Sequence, residues 1–538
     1  MNKKTLIRVT MLLCCFVIGI SAINYKNDRL FDIAKNIELF VNVYKELNEN
    51  YVDDLDPNQL MKVGIDAMVN SLDPYTNYIS ESQVEGYRIN DEGKYQGIGA
   101  IVEKVGEKLM IIEPYQGSPV VEAGLQAGDI IEAVEGIPTK GKSQEDLSNI
   151  VRGVPGSLLD LSITRPNSFS HKAFTIERGK VQIPNVPYSG EVSDGVGYIS
   201  LTTFTPEAGK NVARALKNIK RENPDLKGVI LDLRNNGGGL LREAISICNI
   251  FLPKDVDVVS VKGKVRDRDV SYKTRVAPVD LELPVVVMIN KRSASASEIV
   301  SGVIQDFDRG VLIGQRSFGK GLVQNTKELG YNSRLKLTTA KYYIPSGRCI
   351  QSVEYENGEP KDIPDEQRAS FKTKKGREVL DGGGVSPDLR LKAEQKSEIL
   401  EALVDQKLIF KYVNKYLDEN SIDSLALEDV IFDDYNDFMR FLSSSKFSYE
   451  TKAEQKLKEM EDLSEDAPFK DLKKHVIDKK SDDLVEFEEQ IKRQIEIEIA
   501  GRFHYQKGKS FQSLKTDPEI TVAIDLINDK EKYDVLLK

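Results

Sequence analysis

Three serines recur at every second position of the segment NKRSASASEIVSG, which spans residues 290–302. The apolar run PVVVMIN precedes them and the amphipathic pattern SEIVSGVIQDF follows, so we expect the serines at a strand-to-helix turn. Ser295 and Glu298 form the capping-box pattern S-x-x-E, which favours a helix cap. A helix start also presents backbone N–H groups, which suits a nucleophilic serine whose carbonyl substrate becomes an oxyanion. This fragment alone leaves both interpretations open.

A histidine is not the expected base for such a serine. His171, His475 and His504 are scattered in polar sequence without metal-ligand spacing, which argues against a Ser-His-Asp triad and against a zinc hydrolase. Lys320 in GQRSFGKGLVQ is an alternative base if burial lowers its pKa from about 10.4 toward 7. Gln324 follows four residues later, and in an extended segment both side chains point to one face. The competing interpretation of Gly-Lys-Gly is an exposed turn lysine.

A third segment, VILDLRNNGGGLLREA, joins an apolar strand to a helix through three glycines, Gly237–Gly239. Glycines at such a junction allow backbone N–H groups to approach an anion closely. Phosphate binding by a P-loop is not indicated, because no lysine-serine or lysine-threonine pair follows the glycines.

The rest of the chain divides into segments that differ in the spacing of their apolar residues and in composition. Apolar residues recur at helical spacing within residues 27–86, at Ile37, Phe40, Val41, Tyr44 and Leu47. Short apolar runs separated by glycines from about residue 95 to 178 indicate a compact, partly open barrel. Strands and helices alternate from 196 to 391, which is typical of α/β layers. Residues 355–384 are predicted to be a strandless surface loop, and the chain is charged and helical from about 392.

The composition sets outer limits on function. The chain has 538 residues, 40% hydrophobic and 30% charged, so we expect two to four globular domains. A formal net charge of −10 gives no basic surface for nucleic acid. Basic residues precede an uncharged run at 9–25, which predicts a secretory signal or an uncleaved membrane anchor, with a buried helix as the alternative. Cys248 and Cys349 lie among apolar neighbours and are expected to be buried free thiols.

Taken together and in this order, the segments resemble the C-terminal processing, or tail-specific, serine peptidases. The resemblance covers about residues 39–391 and is carried by SLDPYTNYIS, YQGIGA, GSPVVEAGLQAGDII, LDLRNNGGG, SASASEIVSGVIQD, GQRSFGKGLVQ, YYIPSGRCIQ and GGGVSPD. The family's usual DPHS is DPYT here, with Tyr75 in place of the histidine, in a segment that is structural. The resemblance implies a mixed α/β multidomain fold. Its parts are a signal or anchor (1–26), a helical segment (27–86), an inserted barrel-like PDZ domain (87–180), a layered crotonase- or ClpP-like α/β catalytic core (181–391) and a helical extension (392–538).

The resemblance also implies roles for individual residues. The nucleophile would be Ser295, the base Lys320 and the supporting residue Gln324. The oxyanion would be bound by the backbone N–H groups of Ala296 and of a glycine in the 237–239 run, Gly238 being the best match. No metal or cofactor is implied. Ser293 and Ser297 receive no role, apart from a place for Ser297 at the helix start.

In the PDZ segment, the motif YQGIGA would be the carboxylate-binding loop. The backbone N–H groups of Gly97, Ile98 and Gly99 would receive the C-terminal carboxylate of a peptide that pairs as an added strand. Arg152 is a candidate for coupling peptide binding to the active site, and a surface arginine on a helix is the equal alternative.

The resulting hypothesis is an exported, extracytoplasmic (periplasmic) endopeptidase that recognises protein C-termini and cleaves with a serine and a lysine. Its partners would be protein substrates, with an adaptor protein and a homo-oligomer left open, and no nucleic acid. Two other classes compete with it: a catalytically silent PDZ scaffold, and an acyl-CoA enzyme of the crotonase group. The complete Ser295, Lys320 and Gln324 set argues against the first, and the export signal and PDZ segment argue against the second.

Overall fold

The amino-terminal run that carries the predicted signal or anchor lies outside the residues that the structure describes. The computed structural model describes residues 29–81, 83–84, 87, 94–166, 170–351, 355–356, 359–360, 363–420, 422, 424–461, 467–480 and 482–538. None of the helices within these ranges is long and apolar enough to cross a membrane. Two compact units are present: residues 29–81 with Gln324–Thr338, and the described residues of Ser82–Val323 with Thr339–Lys538.

The amino-terminal part of the first unit is helical, as the apolar spacing predicts. It contains helix α1 (29–50), helix α2 (Pro57–Asn70) and strand β1 (Asn77–Ile79). The Asp56 side chain caps α2 by accepting the N–H groups of Asn58 and Gln59. The apolar stripe of α1 is largely exposed, with Ile37 61% and Val41 55% accessible, because so small a unit cannot cover every apolar residue it carries.

The predicted PDZ segment is an antiparallel β-structure with two short helices. Its elements are β2 (Lys94–Gly97), β3 (Ala100–Val105), β4 (Lys108–Pro114), α3 (Pro119–Glu122), β5 (Ile130–Val134), β6 (Ile137–Pro138), α4 (Gln144–Val151), β7 (Leu158–Arg165), β8 (Ser170–Glu177) and β9 (Gly179–Gln182). The strand order is β3-β4-β5-β7-β8, with β6 added to β5, while β2 pairs with β9. Alternate residues of β7, including Leu159, Leu161 and Ile163, are buried in a core of this segment's own.

The next part of the chain supplies a mostly parallel sheet, called here the central sheet. Its elements, with those of a neighbouring antiparallel sheet, are β10 (Ser189–Ser193), β11 (Val196–Ser200), α5 (Ala208–Glu222), β12 (Gly228–Asp232), α6 (Leu241–Phe251), β13 (Asp257–Gly263), β14 (Val270–Lys273), β15 (Val285–Ile289), α7 (Ala296–Asp306), β16 (Val311–Gly314), β17 (Leu322–Gly330) and β18 (Ser333–Tyr343). The central sheet has the order β10-β11-β12-β15-β16, extended by a strand at 389–390, and only β10 is antiparallel. Every residue of β15 is buried, as expected for a parallel strand covered on both faces.

Strand β18 takes part in two pairings. Its residues 340–343 pair with β13, which also pairs with β14. Its residues 334–336 belong to the first unit and pair with β1, and β17 is also its neighbour. The chain between 324 and 338 therefore adds strands to the amino-terminal helices.

The segment 355–384 was expected to be a strandless surface loop, and this expectation is wrong. It forms β19 (Tyr355–Glu356), β20 (Glu359–Pro360), β21 (Ser370–Lys372) and β22 (Glu378–Leu380), paired as two short hairpins, before β23 (Leu389–Arg390). The segment also supplies the buried Arg368, whose guanidinium donates to the carbonyl oxygens of Asp381 and Gly384. Its polar composition reflects these internal hydrogen bonds, which a pattern of apolar residues does not reveal.

The carboxy-terminal segment is helical, as predicted. It contains α8 (Glu398–Asp405), α9 (Leu408–Glu419), α10 (Tyr435–Ser444), α11 (Lys452–Glu461), α12 (Ala467–Lys480), α13 (Asp483–Glu486), α14 (Glu488–Leu514), α15 (Pro518–Asn528) and α16 (Lys530–Leu536). Helices α8, α9, α10 and α14 share one apolar core. The last two helices instead cover the central sheet.

The central sheet is thus enclosed by helices from distant parts of the chain. One set of alternating strand residues, including Val229, Leu231 and Val287, packs with α5, α6 and α7. The other set, including Ile230, Val286 and Met288, packs against Ile520, Ala523, Leu526 and Ile527 of α15. The Tyr533 hydroxyl of α16 also donates to the carbonyl oxygen of Val285 at 3.0 Å.

Candidate active site

The serine turn, residues 290–297, joins β15 to α7 with an unusual backbone conformation. Ser295 has φ 56° and ψ −112°, a sparsely populated region that residues with a side chain adopt at strained turns, often at functional sites. Ser295 is partly exposed between the buried residues Ala294 and Ala296. The turn therefore presents one serine of the three at the surface, at the first turn of a helix.

The two other serines connect this turn to the glycine loop, residues 233–240, which follows β12. The Ser293 hydroxyl donates to the carbonyl oxygen of Leu233 at 2.8 Å, and the Ser297 hydroxyl donates to that of Asn236 at 2.8 Å. The N–H of Ala294 donates to the same Asn236 oxygen at 3.0 Å. Sequence reasoning gave Ser293 no role and placed Ser297 only at the helix start, because their partners lie some 60 positions away in the chain.

The glycine loop touches Ser295 at Gly238, which has φ 98°. A Cβ at this position would lie 2.8 Å from Ser295 Cβ and 2.9 Å from the backbone nitrogen of Ala296, so only glycine fits. The predicted oxyanion donors, Gly238 and Ala296, are therefore brought together beside the predicted nucleophile. The Gly238 N–H donates to Asn236 Oδ1 at 2.9 Å, so binding an oxyanion requires this N–H to share or leave that acceptor.

Glu298, on the first turn of α7, joins the serine turn to the lysine loop, residues 315–321. Its carboxylate accepts the N–H of Ser295 at 2.8 Å, the N–H of Gly319 at 2.7 Å and the N–H of Lys320 at 2.9 Å. The Ser317 hydroxyl donates to it at 2.5 Å. The carboxylate half of the predicted capping box therefore forms, and three further donors from the lysine loop converge on the same group.

Burial and hydrogen bonding shift the pKa of Glu298 in opposite directions. The residue is completely buried, and burial raises the pKa of Glu298 from 4.5 to about 7, against the lowering effect of the donors from Ser317, Lys320, Gly319 and Ser295. All four donors require lone pairs on the carboxyl oxygens and therefore favour the ionised form, but burial outweighs them and the pKa is raised overall.

Tyr342 provides a second bridge between the same two segments. Its hydroxyl lies 2.5 Å from the carbonyl oxygen of Lys320 and 3.1 Å from that of Ser295, and the residue is almost completely buried. The N–H of Phe318 adds a backbone hydrogen bond to the carbonyl oxygen of Ser293 at 3.0 Å. The backbone at Ser295 and that at Lys320 are thus held by shared partners, although 25 positions separate them in the sequence. Lys320 itself is partly buried.

The predicted supporting residue, Gln324, lies in β17 and belongs to the first unit. Its side-chain amide donates to the Thr338 hydroxyl at 3.1 Å, and that hydroxyl donates to Asp73 at 3.1 Å. Asp73 also accepts the N–H groups of Tyr75 and Thr76. The DPYT motif therefore organises a turn that supports the strand next to Gln324, which agrees with a structural role for Tyr75.

The predicted carboxylate-binding loop lies at one edge of the predicted PDZ segment. Gly97 forms an antiparallel bridge with Arg152, directly after α4, and Ile98 is completely buried. Gly99 has φ 83°, and a Cβ there would lie 2.3 Å from that of Ser118. The loop backbone is thus placed beside Arg152, and glycine is required at 99.

No group of three or more His, Cys, Asp and Glu residues that could hold a metal ion occurs in the part of the chain that the structure describes. Cys248 and Cys349 are free thiols, the first buried and the second partly buried. Burial raises the pKa of both thiols, which disfavours the reactive thiolate.

Comparison with known protein families gives three matches along the chain. Residues 195–358 match the family described as Peptidase family S41, and residues 110–165 match the PDZ domain. Residues 399–527 match a family described as "Probable PDZ-protease, C-terminal helical domain". The first match covers most of the central sheet, and the second lies within the predicted PDZ segment.

Individual proteins of known sequence or structure are also similar to this chain. A carboxy-terminal-processing protease of Bartonella bacilliformis is 34% identical over 321 residues, which cover 59% of this chain and 73% of the relative. A probable CtpA-like serine protease of Staphylococcus aureus strain COL is 33% identical over 350 residues, which cover 64% of this chain and 69% of the relative. A solved structure of a photosystem II D1 C-terminal processing protease shares 25% identity with a TM-score of 0.37, covering 66% of this chain and 92% of that one.

Proposed function

Because the chain belongs to peptidase family S41, as a carboxy-terminal-processing serine protease with a PDZ domain, we propose that it cleaves peptide bonds with Ser295 as nucleophile and Lys320 as general base. The observation that carries this proposal is the double bridge between the serine turn and the lysine loop. Glu298 binds the N–H groups of Ser295 and Lys320, and Tyr342 lies within hydrogen-bonding distance of both carbonyl oxygens. These contacts hold the backbones of the two residues to shared partners, which supports a proton transfer between their side chains.

The proposed reaction begins with the uncharged amine of Lys320. The amine takes the hydroxyl proton of Ser295 while the hydroxyl oxygen attacks the carbonyl carbon of the substrate. The resulting oxyanion receives hydrogen bonds from the N–H groups of Ala296 and Gly238, the latter shared with or released from Asn236. The protonated amine then gives its proton to the leaving amine, and water hydrolyses the acyl-enzyme with the same lysine as base.

The PDZ domain is proposed to select substrates by their C-termini. The N–H groups of Gly97, Ile98 and Gly99 would bind the terminal carboxylate while the peptide adds a strand to the domain. The bridge between Gly97 and Arg152 supports a coupling role for Arg152, because a ligand at this loop would meet that contact first. The supporting role that the resemblance implies for Gln324 remains a prediction.

Export to an extracytoplasmic location is also a proposal, supported by the basic residues that precede the uncharged run at 9–25. It is tested by fusing residues 1–30 to a reporter enzyme that is active only outside the cytoplasm. Activity of the reporter supports export, and an inactive but expressed fusion contradicts it. Cross-linking of the full chain tests the homo-oligomer and adaptor left open by the sequence.

The catalytic assignment is tested with Ser295→Ala and Lys320→Ala. Both variants should abolish cleavage of an unfolded protein substrate while they retain binding of a C-terminal peptide to the PDZ domain. Ser443→Ala and Lys217→Ala are matched controls, because both side chains are exposed and lie on helices away from the site. Turnover by Ser295→Ala would exclude the nucleophile, and peptide binding by a wild-type protein that never cleaves would favour the scaffold.

A further inference from the structure

One arginine ties the end of strand β12 to the start of helix α15. Arg234 is only 15% exposed and binds three carboxylates. Its Nη2 lies 2.7 Å from both Asp232 Oδ2 and Asp517 Oδ2, and its Nη1 lies 2.8 Å from Glu519 Oε2. Asp517 and Glu519 lie at the amino-terminal end of α15, nearly 300 positions after the arginine.

Glu519 extends this contact to a second strand. Its other carboxylate oxygen accepts the side-chain amide of Gln315 at 2.6 Å, and the backbone N–H of Gln315 donates to the carbonyl oxygen of Ile289 at 3.0 Å. Gln315 follows β16, and Ile289 is the last residue of β15. A single carboxylate thus joins the ends of β12 and β16, the two strands that flank the strand leading to Ser295.

The residues that follow Arg234 make the contacts that place the glycine loop against the serine turn. Asn235 and Asn290 exchange two hydrogen bonds of 3.0 Å. Asn236 then accepts hydrogen bonds from Ala294 and Ser297, and Gly238 reaches Ser295 two residues later. The position of Arg234 therefore bears directly on where the Gly238 N–H lies relative to the serine.

Attachment of α15 to the central sheet has a second source besides this ion cluster. The helix is already held on the sheet by the apolar side chains of Ile520, Ala523, Leu526 and Ile527. A buried group of one guanidinium and three carboxylates is costly to desolvate and contributes little to stability beyond what apolar packing gives. Its directional hydrogen bonds do, however, fix the angle and register of the strand ends.

We propose that Asp517 and Glu519 are positioning residues for catalysis, which act through Arg234 and Gln315 to hold the glycine loop at the correct distance from Ser295. This inference rests on the proposed function of Ser295 and Gly238. The ion cluster that Arg234 forms with Asp232, Asp517 and Glu519 is called here the clamp. Loosening the clamp misplaces an oxyanion donor, which lowers the rate of the chemical step and leaves substrate binding unchanged.

The test uses the isosteric variants Asp517→Asn and Glu519→Gln in the full chain, with Asp525→Asn as control. Asp525 lies on the same helix with an exposed side chain. We expect kcat for a peptide substrate to fall about 10- to 100-fold in each clamp variant, with KM within about twofold. Arg234→Lys, which keeps the charge and loses the bidentate geometry, should give a kcat between those of the wild type and the Asp517→Asn and Glu519→Gln variants. Hydrogen exchange of residues 233–240 should become faster in the clamp variants and stay unchanged in the control.

Two results would overturn the proposal. A lowered melting temperature with unchanged kcat and unchanged exchange in the glycine loop would show that the cluster serves stability alone. A rise in KM with unchanged kcat would place its effect on substrate binding. Ser295→Ala in the same assay separates this proposal from the function it rests on. If Ser295→Ala loses activity and the clamp variants do not, only the positioning role of Asp517 and Glu519 is refuted, and the catalytic assignment stands.

Discussion

The carboxy-terminal helices meet the central sheet and the PDZ domain in two different ways. At the sheet, α15 and α16 supply one of its two covering layers through a large apolar cluster. At the PDZ domain, a single aromatic residue of α9, Phe410, is buried in a small cluster formed with Met110, Ile112, Ala127 and Ile130. One helical segment is thus part of the core at one end and a docking surface at the other.

Charged contacts surround the small PDZ cluster. Lys509 of α14 lies 2.5 Å from Glu113, and Lys407 lies 2.8 Å from Glu103. The side chain of Asn414 packs directly against Gly128, where a Cβ would lie 2.3 Å from its amide nitrogen. Contacts of this kind contribute modestly, because partly exposed ion pairs are screened and the apolar area is small.

The difference indicates which parts of the protein can move apart. Separating α15 from the sheet would expose one whole face of buried strands, whereas separating the PDZ domain from α9 and α14 exposes one small apolar cluster. We therefore expect the sheet, the glycine loop and the serine turn to behave as one cooperative body, and the PDZ domain to open from the helices at lower free energy.

The largest expected effect comes from Gly238→Ala, with Gly237→Ala as its matched control. A methyl group at 238 would lie 2.7 Å from the carbonyl oxygen of Ala294 and 2.8 Å from Ser295 Cβ, whereas nothing lies within 4 Å of one at 237. We expect Gly238→Ala to lower kcat at least about 100-fold, because it displaces an oxyanion donor. Gly237→Ala should stay within about threefold of wild type. Equal kinetics for the two variants would show that the loop is not fixed against the serine.

The second effect is a pH dependence of stability within the cooperative body, caused by Glu298. Its folded-state pKa is raised from 4.5 to about 7, so the folded protein keeps a proton that the unfolded chain releases. The stabilisation is present below about pH 4.5 and is lost as the pH rises to about 7, which amounts to about 3 kcal/mol.

Glu298→Gln removes this titration, so the measurement is the free energy of unfolding of both proteins from pH 4 to pH 8. The wild type should lose about 3 kcal/mol relative to the variant across that range. A difference between the two proteins that does not change with pH would contradict the raised pKa.

A local effect is expected at the PDZ contact, from Phe410→Ala. Removal of the aromatic side chain should open the contact with a loss of about 3 kcal/mol in local stability, the lower end of the usual range because the cluster is small, while the melting of the central sheet is unchanged. Hydrogen exchange of β4 and β5 compared with that of β15 measures both at once. Faster exchange in β15 as well would mean that the PDZ domain is not separable from the sheet.

The smallest effect is expected from Glu103→Gln, at the edge of the same contact. The Glu103 side chain is 39% exposed, so loss of its pair with Lys407 should change local stability by less than about 1 kcal/mol. The same exchange experiment checks this value. A loss as large as that of Phe410→Ala would show that charge, and not apolar burial, holds the PDZ domain.

Much of this organisation follows from local sequence. Apolar alternation and glycine positions predict the PDZ strands and the central sheet, and the S-x-x-E pattern predicts the Ser295–Glu298 hydrogen bond. Repeated periodicity of 2 or 3.6 residues is enough for such inferences because it reports burial directly.

The remaining features depend on contacts between distant positions. The sequence pattern around Glu298 predicts only a helix cap. It is the fold that brings the N–H groups of Gly319 and Lys320 to the same carboxylate. The segment 355–384 looks like a loop because its stabilising contacts are made by arginines and carbonyl oxygens, which follow no period. The pairing of Arg234 with Asp517 and Glu519 likewise has no local signal, since each residue alone resembles an ordinary charged residue at the end of an element.

The proposed mechanism requires Lys320 to be uncharged when it accepts the proton of Ser295. It is tested by competitive labelling of the amine with an aryl fluoride across pH, in the full chain with a bound C-terminal peptide, followed by mass spectrometry of the peptide that contains Lys320. Half-maximal reactivity is expected at a pH well below the ordinary lysine pKa of about 10.4. A titration at or near 10.4 in the peptide-bound enzyme would contradict it.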